Sequence, residues 1–271
     1  MDGKQLHVRD EGEGRPLVLL HGWSCPGPFF KGQVNALKKH VRCIVPDLPG
    51  HGETGGRLPL TIEAAADAIA AFLENEDLTD AVLCGWSMGA HVAYAMIERH
   101  GPERIATVVG IDMSPKIVND EEWSNGTLNG LTAATNEHVL NALVPEWPKL
   151  PGGIARRLFA SDRPMDRALL DFATAEIAKC DPVLLKPMWA SLARQDFRAL
   201  LKAFPLPLHL VYGAHSQLYG PGVAQWHKDN VPDFQLHEFE SSGHSPHMEE
   251  PERFNALLRS IVRGADRGGA G

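Results

Sequence analysis

The chain is poor in cysteine, has no long apolar run and carries no excess of positive charge, and each shortage excludes a class of protein. Its four cysteines in 271 residues (Cys25, Cys43, Cys84 and Cys180) show no C-x-x-C and no framework spacing. A disulfide scaffold and a thiolate metal knuckle are therefore not expected, and all four read as reduced thiols, Cys25 being the one expected to meet solvent. No stretch is long and apolar enough to span a bilayer, and Met1 to His7 lacks the apolar core of a signal peptide. That pattern predicts a cytoplasmic protein with no membrane span. Formal net charge is −8 with no run of like charge, and phosphate recognition needs a basic face, so no nucleic-acid partner is expected. There is no G-x-x-x-x-G-K-S/T phosphate loop and no second pair of ligands at metal spacing beside Asp47 and His51. Neither a cofactor nor a metal is expected, and the Pro46–Gly52 loop reads as a structural turn.

What is present is a globular balance, 44% hydrophobic and 22% charged, in a chain long enough for a large core plus an insertion. Short apolar runs alternate with helical patterns. Strands are expected at Leu17–Leu20, Arg42–Pro46, Ala81–Cys84, Ile105–Ile111, Leu208–Tyr212 and Phe234–Phe239, with an antiparallel edge strand over Gln5–Glu11. Helices are expected over Ile62–Leu73 with Thr61 as its cap, after the glycine turn at 85–89, and over Pro251–Val262. Short, nearly all-apolar strands separated by helices predict an α/β fold, a mostly parallel sheet covered on both faces. Residues 116–203 contain helical patterns and no convincing strand, so they read as a helical cap insertion. The core is then 1–115 with 204–264, and 265–271 is a glycine-rich flexible tail.

One stretch carries chemistry. Gly85-Trp86-Ser87-Met88-Gly89 lies between an apolar strand and a helix. A G-x-S-x-G turn in that setting is a nucleophile elbow, in which the tight turn lifts the serine hydroxyl above the sheet. Three further motifs accompany it: His21-Gly22-Trp23, Asp47-Leu48-Pro49-Gly50-His51-Gly52 and Gly243-His244. In this order and spacing the chain resembles the α/β-hydrolase superfamily over nearly its whole length, and its wording is most similar to the small serine carboxylesterases and perhydrolase-like members.

The resemblance implies that Ser87 is the nucleophile, His244 the base that takes its proton, and the backbone N–H groups of Trp23 and Met88 the oxyanion hole. The usual site for the acid, after the strand at Leu208–Tyr212, holds Ser216, which cannot carry a negative charge. Asp112 ends the strand that follows the elbow helix, and some members of the superfamily carry the acid there, so Asp112 is the expected third member. His91 is expected to point away from Ser87, His247 to start a helix or line the pocket, and Glu249 and Glu250 to open the last helix. The expected activity is hydrolysis of a carboxylic ester or related acyl bond in a small hydrophobic, ester-like substrate. The alternative on the same frame is a cofactor-free dioxygenase using the His244–Asp112 pair to deprotonate a heteroaromatic substrate.

Overall fold

The computed structural model describes residues 6–265. Seven strands form one sheet: β1 (Val8–Glu11), β2 (Pro16–Leu20), β3 (Arg42–Pro46), β4 (Ala81–Trp86), β5 (Ile105–Ile111), β6 (Leu208–Gly213) and β7 (Phe234–Phe239), in the order β1-β3-β2-β4-β5-β6-β7. Only β1 is antiparallel, paired with β3 from Val8↔Pro46 to Glu11↔Cys43. The expected edge strand over Gln5–Glu11 is present but shorter, starting at Val8, with Leu6 and His7 irregular and Gln5 outside the described residues; of the expected tail, Ala265 ends the last helix and the rest lies outside the described residues.

Strands β2, β4, β5 and β6 are apolar except at Thr107 and His209 because both faces are covered. Val18 and Leu20 of β2 pack with Leu83 of β4 under Ile69 and Leu73 of α2 (Ile62–Asn75, preceded by α1, Lys31–Leu37) and Met96 of α3 (Met88–His100). Leu17 and Leu19 face the other way, with Val82, Cys84 and Phe254 and Leu258 of the C-terminal helix Pro251–Ala265. Burying each such leucine is worth about 1.5–3 kcal/mol. Thr61 caps α2 as expected, its hydroxyl accepting the N–H of Ala64 at 3.1 Å.

Between β5 and β6 lie only helices: α4 (Ala133–Leu143), α5 (Pro151–Arg157), α6 (Arg167–Ala178), α7 (Pro182–Leu192) and α8 (Arg198–Lys202). Two helices were not foreseen beyond β6: α9 (Pro221–Asn230), and the short α10 (Pro246–Glu249) that precedes the C-terminal helix, α11. One cysteine expectation is corrected. Cys25 is buried under the sheet, and Cys180 is the partly exposed thiol, because the residues after Trp23 turn inward beneath the helical segment. No helix among the described residues is long and apolar enough to cross a membrane.

Candidate active site

The turn at Ser87 is held in a conformation that a side-chain-bearing residue rarely adopts. β4 ends at Trp86, Ser87 has φ 52° and ψ −119°, and α3 starts at the next residue. Such backbone strain costs roughly 1–3 kcal/mol and persists only where the surroundings enforce it. Here Ser87 donates its N–H to Ile111 O at 3.0 Å and accepts from Ala90 N at 2.9 Å. The flanking glycines are required by contact: a Cβ on Gly85 would lie 2.4 Å from Ala90 N, and one on Gly89 would lie 2.0 Å from Leu20 O. The turn therefore lays the first turn of α3 against β2 and leaves the serine at the C-terminal edge of the sheet, where open α/β sheets bind ligands.

His244 and Asp112 meet at that edge. His244 Nδ1 and Asp112 Oδ2 are 2.7 Å apart, and the two side chains are 2% and 0% exposed. A carboxylate only accepts, so the ring carries its proton on Nδ1 and turns Nε2 away from the acid. Asp112 follows β5 with φ 43° and is fixed by its own N–H to Val211 O at 2.8 Å. Ser216, which stands where an aspartate was sought, donates its hydroxyl to the same Oδ2 at 2.6 Å. Ser87 and His244 line one pocket, but the Ser87 hydroxyl makes no hydrogen bond to the ring in this conformation. Such bonds are often long before substrate binds.

The loop carrying His244 is braced by groups that the sequence did not single out for this. Trp86 Nε1 donates to the carbonyl of His244 at 2.8 Å. Glu250 accepts from Ser242 Oγ at 2.6 Å and from Ser241 N at 3.2 Å, and Glu249 accepts from Gly243 N at 2.7 Å. Of the two acids expected to open α11, only Glu250 stands at its start, its carbonyl accepting the N–H of Phe254 at 3.0 Å. Glu249 ends α10 and Glu250 follows it, which turns both carboxylates back onto the loop. Burial pushes the Glu249 carboxyl up to about 7 against the N–H bonds of Ala160 and Gly243. The cue in the sequence is their spacing five and six residues after the histidine.

The backbone N–H groups of Trp23 and Met88 have no acceptor among the described residues. The Trp23 loop is fixed by Ser24 N, which donates to His51 Nε2 at 2.9 Å, and by Trp23 Nε1, which donates to Leu185 O at 3.0 Å. Asp47 accepts the N–H groups of Gly27 and Glu53, so the Pro46–Gly52 loop braces this turn. The cavity over Ser87 holds about 280 Å³, and its walls are mainly apolar, among them Ile117, Leu131, Leu143, Ile154, Leu158 and Trp189. Asn129 and Arg157 are exposed members of that wall. His247 is not part of it. It is buried against Trp86 and Phe30, and burial lowers its ring to about 3. His91 lies on α3 with Nε2 at 2.7 Å from Ser114 O, away from Ser87. A larger, more polar groove of about 650 Å³ runs past His209 and His237 at the opposite edge of the sheet and holds none of these groups.

Comparison with known proteins agrees with this architecture. Residues 17–257 match the model of the alpha/beta hydrolase family. A pimeloyl-(acyl-carrier protein) methyl ester esterase of Aromatoleum aromaticum is 34% identical over 256 residues, 92% of this chain and 98% of that protein. An esterase from Exiguobacterium antarcticum superposes with a TM-score of 0.87 at 23% identity, over 95% of both chains, a likeness of fold. A thermophilic esterase from Thermogutta terrifontis superposes with a TM-score of 0.84 at 26% identity, over 96% of this chain and 93% of that one.

Proposed function

The chain belongs to the alpha/beta hydrolase family, and from that footing we propose that it is a serine carboxylesterase with Ser87, His244 and Asp112 as its triad. The observation that carries this reading is the buried 2.7 Å contact between His244 and Asp112 at the rim of the pocket that holds Ser87. Ser87 Oγ attacks the ester carbonyl while His244 Nε2 takes its proton, and Asp112 holds the ring in the tautomer that makes Nε2 the base. The N–H groups of Trp23 and Met88 receive the negative charge that develops on the carbonyl oxygen. One such donor is typically worth on the order of 3 kcal/mol in the transition state. His244 then protonates the departing alkoxide. Water, deprotonated by the same ring, attacks the acyl-serine and releases the carboxylic acid.

The helices between β5 and β6 act as a cap in this reading. Their apolar walls suit an uncharged acyl chain and keep water from the serine. The 34% identical relative is named for a methyl ester on a pimeloyl group attached to a carrier protein. A substrate of that kind fits here: the methyl ester at Ser87, the methylene chain along the apolar wall, and the carrier outside, where Arg156 and Arg157 face solvent.

A fluorophosphonate probe is expected to label the protein at Ser87, with Ser87→Ala abolishing the label. An intact protein that resists the probe overturns the esterase reading. The cofactor-free dioxygenase alternative uses the same His244–Asp112 pair. Oxygen consumption with heteroaromatic substrates that survives Ser87→Ala would favour it instead.

A further inference from the structure

Two carboxylates follow His244, and Glu249 is the one that reaches the cap. Its Oε1 accepts the N–H of Ala160 at 2.8 Å and its Oε2 accepts the N–H of Gly243 at 2.7 Å. Gly243 immediately precedes His244. Ala160 belongs to the stretch leaving α5, whose Ile154, Arg157 and Leu158 wall the pocket. The two backbones also touch, since a Cβ on Gly243 would lie 2.5 Å from both Ala160 N and the carbonyl carbon of Phe159. From the other side, Gln217 Nε2 donates to the carbonyls of Arg156 at 2.9 Å and Phe159 at 2.7 Å. Gln217 is the neighbour of Ser216, whose hydroxyl holds Asp112. Residues 156–160 of the cap are therefore fastened both to the loop that steadies the acid and to the loop that carries the imidazole.

We propose that Glu249 is a positioning residue that makes the seating of the His244 loop depend on the docking of the cap, so that acyl chains filling the pocket align the base. A single ionised carboxylate serves one amide on each side, and a buried amide that loses its acceptor is costly. If the cap lifts, Ala160 N–H and one oxygen of Glu249 lose their partner together, and the loop at Gly243 loses a fixed anchor. An acyl chain that fills the pocket packs on Ile154 and Leu158 and holds the cap down, whereas an acetyl group leaves most of its about 280 Å³ unfilled. Burial favours the neutral carboxyl, and the charge facing it is that of Arg163, which favours the ionised form. Its other neighbours are the amides of Ala160, Gly243 and Ser245.

The kinetic side of this inference rests on the esterase reading, and the exchange side does not. The test compares the full-length protein with Glu249→Gln and with Glu250→Gln, whose carboxylate holds Ser241 and Ser242 but no cap atom. Amide hydrogen exchange is followed at Ala160 and Gly243, together with kcat and KM for p-nitrophenyl acetate and p-nitrophenyl octanoate. Glu249→Gln should speed exchange at both amides together, about tenfold or more by the loss of a charge-assisted bond, and should lower kcat/KM for the octanoate at least about tenfold more than for the acetate. Glu250→Gln, which can loosen the His244 loop but touches no cap atom, should leave exchange at Ala160 and the octanoate-to-acetate ratio as they are. The native protein supplies a check that needs no variant: as pH rises through about 7, exchange at both amides, corrected for intrinsic chemistry, should slow in concert. Protection that changes at one amide only, or an octanoate-to-acetate ratio untouched by Glu249→Gln, overturns the proposal. A native protein that hydrolyses neither ester removes the esterase reading, and the exchange result then decides the coupling alone.

Discussion

Oδ2 of Asp112 faces two donors at once, the ring N–H of His244 at 2.7 Å and the hydroxyl of Ser216 at 2.6 Å. An amide in its place presents one acceptor and one donor, so the ring is held in the wrong tautomer. Asp112→Asn is expected to lower kcat by about 10⁴ with little change in KM, whereas Ser216→Ala, which removes one bond to a charged group, should cost roughly tenfold. Steady-state kinetics on one aryl ester separate the two, and near-normal turnover of Asp112→Asn would show that the acid is another residue. The place of Asp112 just past a strand was legible from the apolar run before it and the turn after it. The donor role of Ser216 was not, because a hydroxyl facing a carboxylate 104 positions away leaves no local trace. The same holds for the Trp86 indole, which reaches the His244 carbonyl across 158 positions.

Among the elements, the strands were the most readable. Arg42–Pro46, Ile105–Ile111 and Phe234–Phe239 have the ends expected of them. The helices α1 and α9 were not read. The first has only seven residues, too few for a periodic signal, and the second, PGVAQWHKDN, buries just Val223, Ala224 and His227 among polar neighbours. The elbow was read from its glycines, and the contacts give the reason a physical form. Gly89→Ala would drive a methyl group onto the carbonyl of Leu20, backbone against which nothing flexible can yield. A loss of about 3 kcal/mol or more is expected, which for a chain of this size lowers Tm by roughly 6–12 °C in calorimetry. An unchanged Tm would mean that the strand and helix are less tightly apposed than described.

Across the whole molecule, buried histidines set the response to acid. Burial lowers His51 and His247 to about 3 and His91, His209 and His227 to about 4. A group whose folded pKa lies below its unfolded value binds fewer protons when folded, so stability is complete above about 6.5 and is lost as pH falls through that value toward 4. Glu249, raised to about 7, acts in the opposite sense over pH 4.5–7, but it is one group against five. The urea midpoint should therefore fall steadily from pH 6.5 to 4.5, with net proton uptake on unfolding. A flat midpoint over that range would contradict the buried, neutral state of these rings. The two-sided sheet was visible in the all-apolar strands, and the likeness to known hydrolases in four short motifs. The fastening of residues 156–160 to the loops around Ser216 and Gly243 was not visible, since it joins two side chains, Glu249 and Gln217, to backbone groups of a segment distant in sequence.

An acid directly after β5, as the proposed triad has it, bears on how such a protein can be divided. Serine and carboxylate travel in one contiguous β–α–β unit, and only the imidazole comes from far downstream. On the proposed triad, a polypeptide broken anywhere between α4 and β6 yields one fragment bearing Ser87 and Asp112 and a second bearing His244. Recovered turnover on mixing the fragments would then report their reassembly, which makes this scaffold a natural candidate for a split reporter.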